Sequence, residues 1–170
     1  MRYSIIIIIA LLSFSATFCI AEDKDDNWDW SSMSTASQNL EEEDGHILLY
    51  FYSSRCFWCR KMDRTFEDPD IEELLKGDFY GVRINTGSNR SLTWDGEKLT
   101  ERQLARSFMV RGTPMTAFVD TSGKPIAKVP GYLDESKLSM ILKYVSGYWY
   151  QDLTFQEFVV SERSLKGEDG

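Results

Sequence analysis

The stretch "YFYSSRCFWCRKM", residues 50–62, decides how this chain is read. Cys56 and Cys59 stand two residues apart, with Phe57 and Trp58 between them and Arg55, Arg60 and Lys61 around them. Upstream, aromatic and long aliphatic residues fill His46–Tyr52, the pattern of a central strand buried on both faces. Downstream, Cys59, Met62 and Phe66 recur at helical spacing. The two cysteines therefore sit where a strand passes into a helix. Three chemistries fit a Cys-x-x-Cys pair: electron exchange, metal binding, or a covalent staple.

The rest of the chain weighs these. A structural zinc site takes about four ligands, and the chain offers two cysteines here and His46, in the strand. His46 reads as a packed or edge residue. A bridge across two residues closes a very small loop and restricts the unfolded chain little. Electron exchange has a direct physical basis. At a helix N-terminus the unpaired N–H groups and the helix dipole stabilise a thiolate, and the nearby cations add to this. Cys56 is then the nucleophile. Cys59, one turn into the helix, resolves the mixed disulfide. No cofactor is called for.

The N-terminus reads as an export signal. Arg2 precedes an apolar run from Ile5 to Leu12, and "CIA", residues 19–21, offers small residues where a signal peptidase cuts. We expect residues 1–21 to be cleaved, which removes Cys19 and leaves Cys56 and Cys59 to pair in an oxidising compartment. Stable membrane insertion is not expected after cleavage. Residues 22–33 read as a flexible acidic segment, 34–162 as one domain and 163–170 as a polar tail. The net charge of −8 argues against nucleic acid as a partner. A monomer is the default.

Within the domain, Ser34–Asp44 reads as a short helix. Asp68 caps a helix whose first position is Pro69, and Phe79–Ile84 is a second strand. Thr100 and Gln103 form a capping box. Met115–Asp120 and Lys124–Val129 make a hairpin around "DTSGK". Asp134 caps a helix bearing Leu138, Ile141, Leu142 and Val145, and Thr154 with Glu157 starts a last short one. This order implies an α/β fold, a central mixed β-sheet with helices on both faces. The stretch "TGSNRSLTWDGEKL", residues 86–99, is longer than the usual connection and reads as a surface loop, with an ordered insertion beside the active site as the alternative. Phe57 and Trp58 are candidates for binding protein substrates as an exposed patch; the alternative is that Trp58 packs against Met62 one turn later, and Phe57 is expected exposed and Trp58 partly packed. Trp28, Trp30 and residues 148–150 read as packing aromatics. In "VRGTPMTAFVD", residues 110–120, Pro114 stands at a strand start and marks a special turn.

With these pieces in order, the chain resembles the thioredoxin superfamily, and more narrowly the periplasmic SoxW-like thioredoxins with a Cys-x-Trp-Cys motif. The resemblance rests on "CFWCRKMDRTFEDPDI", "LTERQLARSFMVRGTPMTAFVD", "GKPIAKVPGYLD" and "LTFQEFV", across roughly residues 46–160. It implies a thioredoxin fold and a periplasmic thiol–disulfide oxidoreductase acting on disulfide-containing proteins. Reduction is the implied direction, with electrons from a membrane donor of the CcdA or DsbD type. A disulfide oxidant or isomerase, and a redox-inert binding module, are the rival readings. By the same resemblance Pro114 matches the cis-proline beside the disulfide. Thr113 offers its backbone to substrate, and Gly131 shapes the opposite wall of the groove. Two positions depart from the pattern. Tyr50 replaces the buried Asp that many relatives carry, and Arg83 replaces the matching lysine. With Arg55, these are the candidates for tuning the thiols.

Overall fold

The computed structural model describes residues 28–42 and 45–165. The expected signal segment, residues 22–27 and residues 166–170 lie outside that range. In chain order the elements are α1 (Met33–Glu42), β1 (His46–Tyr52), α2 (Phe57–Phe66), α3 (Pro69–Leu75) and β2 (Phe79–Asn85). Next come β3 (Ser91–Trp94), β4 (Glu97–Thr100), α4 (Glu101–Ser107), β5 (Met115–Val119) and β6 (Pro125–Pro130). The chain ends with α5 (Glu135–Ser146), a 3-10 turn at Trp149–Gln151 and α6 (Phe155–Leu165).

Four strands form one mixed sheet in the order β2-β1-β5-β6, with β1 parallel to β2 and antiparallel to β5. Because strand side chains alternate, β1 feeds two cores at once. Leu48 and Tyr50 face a cluster with Met62, Phe66, Ile71, Leu138 and Leu142, so α2, α3 and α5 cover that side. Ile47, Leu49 and Phe51 face Met33, Ala36, Leu104 and Phe108, so α1 and α4 cover the other. Burial on both faces is why this strand carries no alternation. Each such large apolar side chain contributes about 1.5–3 kcal/mol by leaving water.

The helix starts follow from their caps. Asp68 accepts from the N–H groups of Asp70 and Ile71, and Asp134 from that of Lys137. Thr100 and Gln103 cap each other reciprocally. Thr154 and Glu157 do the same for α6, which runs to Leu165, beyond the expected domain limit at 162.

Two expectations are corrected. Residues 86–99 are not simply a surface loop: β3 and β4 pair as an antiparallel hairpin, Leu92 opposite Leu99. Asp95 and Gly96 turn it with φ of 50° and 74°, the doubly positive geometry of a tight hairpin turn. Trp94 anchors the hairpin against Phe108, ring centroids 5.6 Å apart. Nor is the end of the acidic N-terminal segment free. The Trp28 indole N–H donates to Phe79 O at 3.0 Å, and Ser31 N–H donates to Gly81 O at 2.7 Å. Trp30 packs edge-on to Phe66 and beside Tyr50. These residues cover the outer edge of β2.

Gly81 is what lets Trp28 lie there. A Cβ at this position would stand 2.4 Å from the indole ring. Gly81→Ala is therefore expected to lift Trp28 off the strand. Tryptophan emission should shift to the red and stability fall by about 1–3 kcal/mol, the usual cost of overpacking.

His46 is buried among Phe79, Tyr148 and Tyr150, as a packed residue. Burial lowers its pKa below the ordinary 6.5, with Asp78 and Asp120 opposing. The unfolded chain thus takes up a proton at a pH where the folded chain does not. The stability contributed by the neutral ring is complete above pH 6.5 and is lost as pH falls from there toward the lower folded value. Urea midpoints should drop between about pH 7.5 and 5.5, and His46→Gln should flatten that slope.

Candidate active site

The C-terminal end of β1 delivers the chain to α2 through Ser53–Arg55. Cys56 is the N-cap of α2, with extended backbone, and its Sγ accepts from the Cys59 N–H at 3.0 Å. The two cysteines are joined in a disulfide, Cα atoms 5.2 Å apart. Their exposure differs: Cys59 is buried at 2%, whereas Cys56 is half-buried and reachable. A sulfur at this cap faces unpaired N–H groups and the positive end of the helix, so its thiolate is favoured over that of an ordinary cysteine.

A second segment closes over the pair. The Thr113–Pro114 peptide bond is cis, and Thr113 O lies 3.4 Å from Cys56 Sγ. The Ser53 and Thr113 hydroxyls are 3.3 Å apart, tying the two loops together. Gly131, at φ +92°, donates its N–H to Pro114 O at 2.9 Å. A groove of about 510 Å³ runs from Thr113 and Pro114 past Phe108, Met109, Lys128 and Gly131.

The structure thus brings Cys56, Cys59, Thr113, Pro114 and Gly131 together. Phe57 is 63% exposed and Trp58 51%. Trp58 leans on Tyr132 at 5.7 Å and on Lys61. Arg55 is exposed beside Cys56. Of the aromatics at 148–150, Tyr148 packs beside Tyr150 and Trp149 beside Phe158, and they stay 40% and 46% exposed.

Behind Cys59 the two departures from the expected pattern meet. Tyr50 and Arg83 are cross-strand neighbours in the β1–β2 register. Tyr50 is fully buried, and its hydroxyl donates to Cys59 O at 3.0 Å. Burial drives the phenol pKa well above 10.0, with the charge of Asp63 pushing the same way and Arg83 opposing. Tyr50 is therefore a fixed donor and not a base at neutral pH. Arg83 lies over the Tyr52 ring at 4.7 Å and pairs with Asp63 at 2.8 Å. Asp63 escaped the sequence reading, although its position four residues after Cys59 on α2 places it on the same helix face.

A family model for the thioredoxin-like domain matches residues 33–146, two thirds of the chain. The chain belongs to the thioredoxin-like domain family. Within that family it is 28% identical over 116 residues to the thiol:disulfide interchange protein DsbD of Photorhabdus laumondii. That match covers 64% of this chain and 19% of DsbD. It is 23% identical over 105 residues to the disulfide bond reductase DsbH of Chlamydia pneumoniae, covering 61% of this chain and 63% of DsbH. The chain therefore spans less than two thirds of either relative. Among solved structures it is similar to a thioredoxin-fold protein from Helicobacter pylori, with a TM-score of 0.63 at 18% identity. That likeness covers 78% of this chain and 99% of the other. A thioredoxin from Thermus thermophilus gives 0.55 at 23% identity, over 68% of this chain and 85% of its own. These likenesses show the thioredoxin fold. The 3-10 turn and α6 lie beyond the matched residues, as do Trp28–Ser32 before them.

Proposed function

We propose that this chain is an exported thiol–disulfide oxidoreductase of SoxW-like type that reduces disulfides in periplasmic proteins. The observation that carries the reading is the half-buried Cys56 at the N-cap of α2, its sulfur facing Thr113 O, beside the buried Cys59. In the dithiol form the Cys56 thiolate attacks a substrate disulfide, and one substrate sulfur leaves as a thiolate. Cys59 then loses its proton and attacks Cys56 Sγ. The second substrate thiolate leaves, and the Cys56–Cys59 disulfide forms. Two electrons pass from the protein to the substrate, and the departing thiolates take up protons.

The remaining residues serve this exchange. The Thr113 backbone holds an extended substrate segment against Pro114, and Phe57, Trp58 and Gly131 border it. Tyr50 fixes the carbonyl of Cys59, while Arg83 holds Asp63 one turn further on; Arg55 adds positive potential at Cys56. The reductive direction is supported by the name of one relative, a disulfide bond reductase, and thiol–disulfide exchange without a direction by that of the other, an interchange protein. The signal-like N-terminus supports export. Among the described residues no helix is long and apolar enough to cross a membrane. A membrane donor of the CcdA or DsbD type would return two electrons to the Cys56–Cys59 disulfide by the same exchange, and the protein would work as a monomer.

The test is a single turnover. Pre-reduced protein mixed with a peptide disulfide should yield one reduced peptide disulfide per chain and emerge with Cys56 and Cys59 bridged. Protein that stays reduced in the presence of the peptide would refute the reading.

A further inference from the structure

The face around Cys56 differs in charge from the rest of the molecule. The chain carries −8, with 27 Asp and Glu against 19 Lys and Arg. Yet Arg55, Arg60, Lys61, Arg111 and Lys128 are all exposed and all border the active site. Arg55, Arg60 and Lys61 flank the cysteines in the loop and first turns of α2. Arg111 and Lys128 line the groove beside Thr113 and Pro114. Among the described residues none of the five is in an ion pair, whereas Lys76, Arg83, Arg90 and Lys137 each have one. Three of them lie on aromatic rings. Arg60 lies over Phe57, Lys61 over Tyr132 at 4.5 Å, and Lys128 over Phe108 at 5.4 Å. Of the carboxylates near these cations, Asp63 on α2 holds Arg83, and Asp134, which also feels the charge of Lys61, caps α5 and holds Lys137. A cation laid on an aromatic ring keeps its charge available to a further partner.

We propose that this rim selects substrates in which the disulfide is flanked by acidic residues. Such a segment would lie along the groove with its apolar side chains on Phe57, Trp58 and Met109, and its carboxylates between Arg111 and Lys128 on one flank and Arg55 and Lys61 on the other. The inference rests on the oxidoreductase reading and names the substrate class of that same site. Charge complementarity at an exposed rim acts mainly on the rate of encounter and is screened by salt.

The test uses pre-reduced full-length protein and three disulfide-linked peptides of equal length, with Glu, Lys or Ser flanking the cysteines. Flanking charge also alters a peptide thiol's own reactivity, so each second-order rate is divided by that peptide's rate with dithiothreitol. At low salt the Glu peptide should be reduced about tenfold faster than the Lys peptide. The ratio should fall toward one as salt is raised to about 0.5 M. In the Arg111→Glu/Lys128→Glu variant the low-salt ratio should fall toward one. Reduction of the Ser peptide with a low-salt Glu-to-Lys ratio near one would overturn the inference and leave the oxidoreductase reading standing. Failure to reduce even the Ser peptide would overturn both.

Discussion

Cys56→Ser is expected to lower turnover of a disulfide substrate to the uncatalysed rate, because serine cannot form the mixed disulfide. Cys59→Ser should behave differently. Cys56 stays reachable at the N-cap and still attacks, but nothing resolves the intermediate. The variant should accumulate covalently bound substrate that dithiothreitol releases. Mass spectrometry of both variants after mixing with a disulfide-bridged protein checks this. The asymmetry between them is the informative part. Were the roles of the two cysteines exchanged, the adduct would form on the Cys56→Ser variant, and the buried Cys59 would have to become exposed to react.

Tyr50→Ala should be the costliest single change in the core beneath the site. The ring is fully buried, in contact with Trp30, Tyr52 and Phe66. Truncating a buried aromatic to alanine costs about 3–5 kcal/mol. Tyr50→Phe keeps the ring and removes only the hydrogen bond to Cys59 O. It should cost about 0.5–1.5 kcal/mol. Urea denaturation of the oxidised proteins separates the two. If Tyr50 also positions Cys59 for exchange, Tyr50→Phe should slow release of the trapped substrate while leaving the first attack unchanged. Equal rates for both steps in wild type and Tyr50→Phe would confine the hydroxyl to stability.

Most of the fold was legible because local signals and long-range demands agree in this chain. His46–Tyr52 is apolar throughout because both of its faces are covered. The caps at Asp68, Thr100 and Asp134 stand where helices begin. The joint at Cys56 is visible because a strand pattern gives way to a helix pattern within a few residues. The β3–β4 hairpin was harder to see. Its strands are four residues long, half-buried at Leu92, Trp94 and Leu99, and the Asp95–Gly96 turn was their one strong mark. The seat of Trp28 depends on a missing side chain at Gly81, which lies on another strand. Arg111 and Lys128 line one groove because β6 folds back along β5, a juxtaposition no local window contains. The pairing of Asp63 with Arg83 likewise needs the α2–β2 packing before it can be read.

The proposed direction of exchange makes the Cys56–Cys59 pair a reductant. The measurement that meets it most directly is the equilibrium reduction potential of this couple, titrated against glutathione and dithiothreitol buffers. A value near that of thioredoxin, about −270 mV, is the predicted result and fits a protein that passes electrons on to substrate disulfides. A value near about −120 mV, the range of the strong periplasmic oxidant, would overturn the proposed direction and make the protein a donor of disulfides.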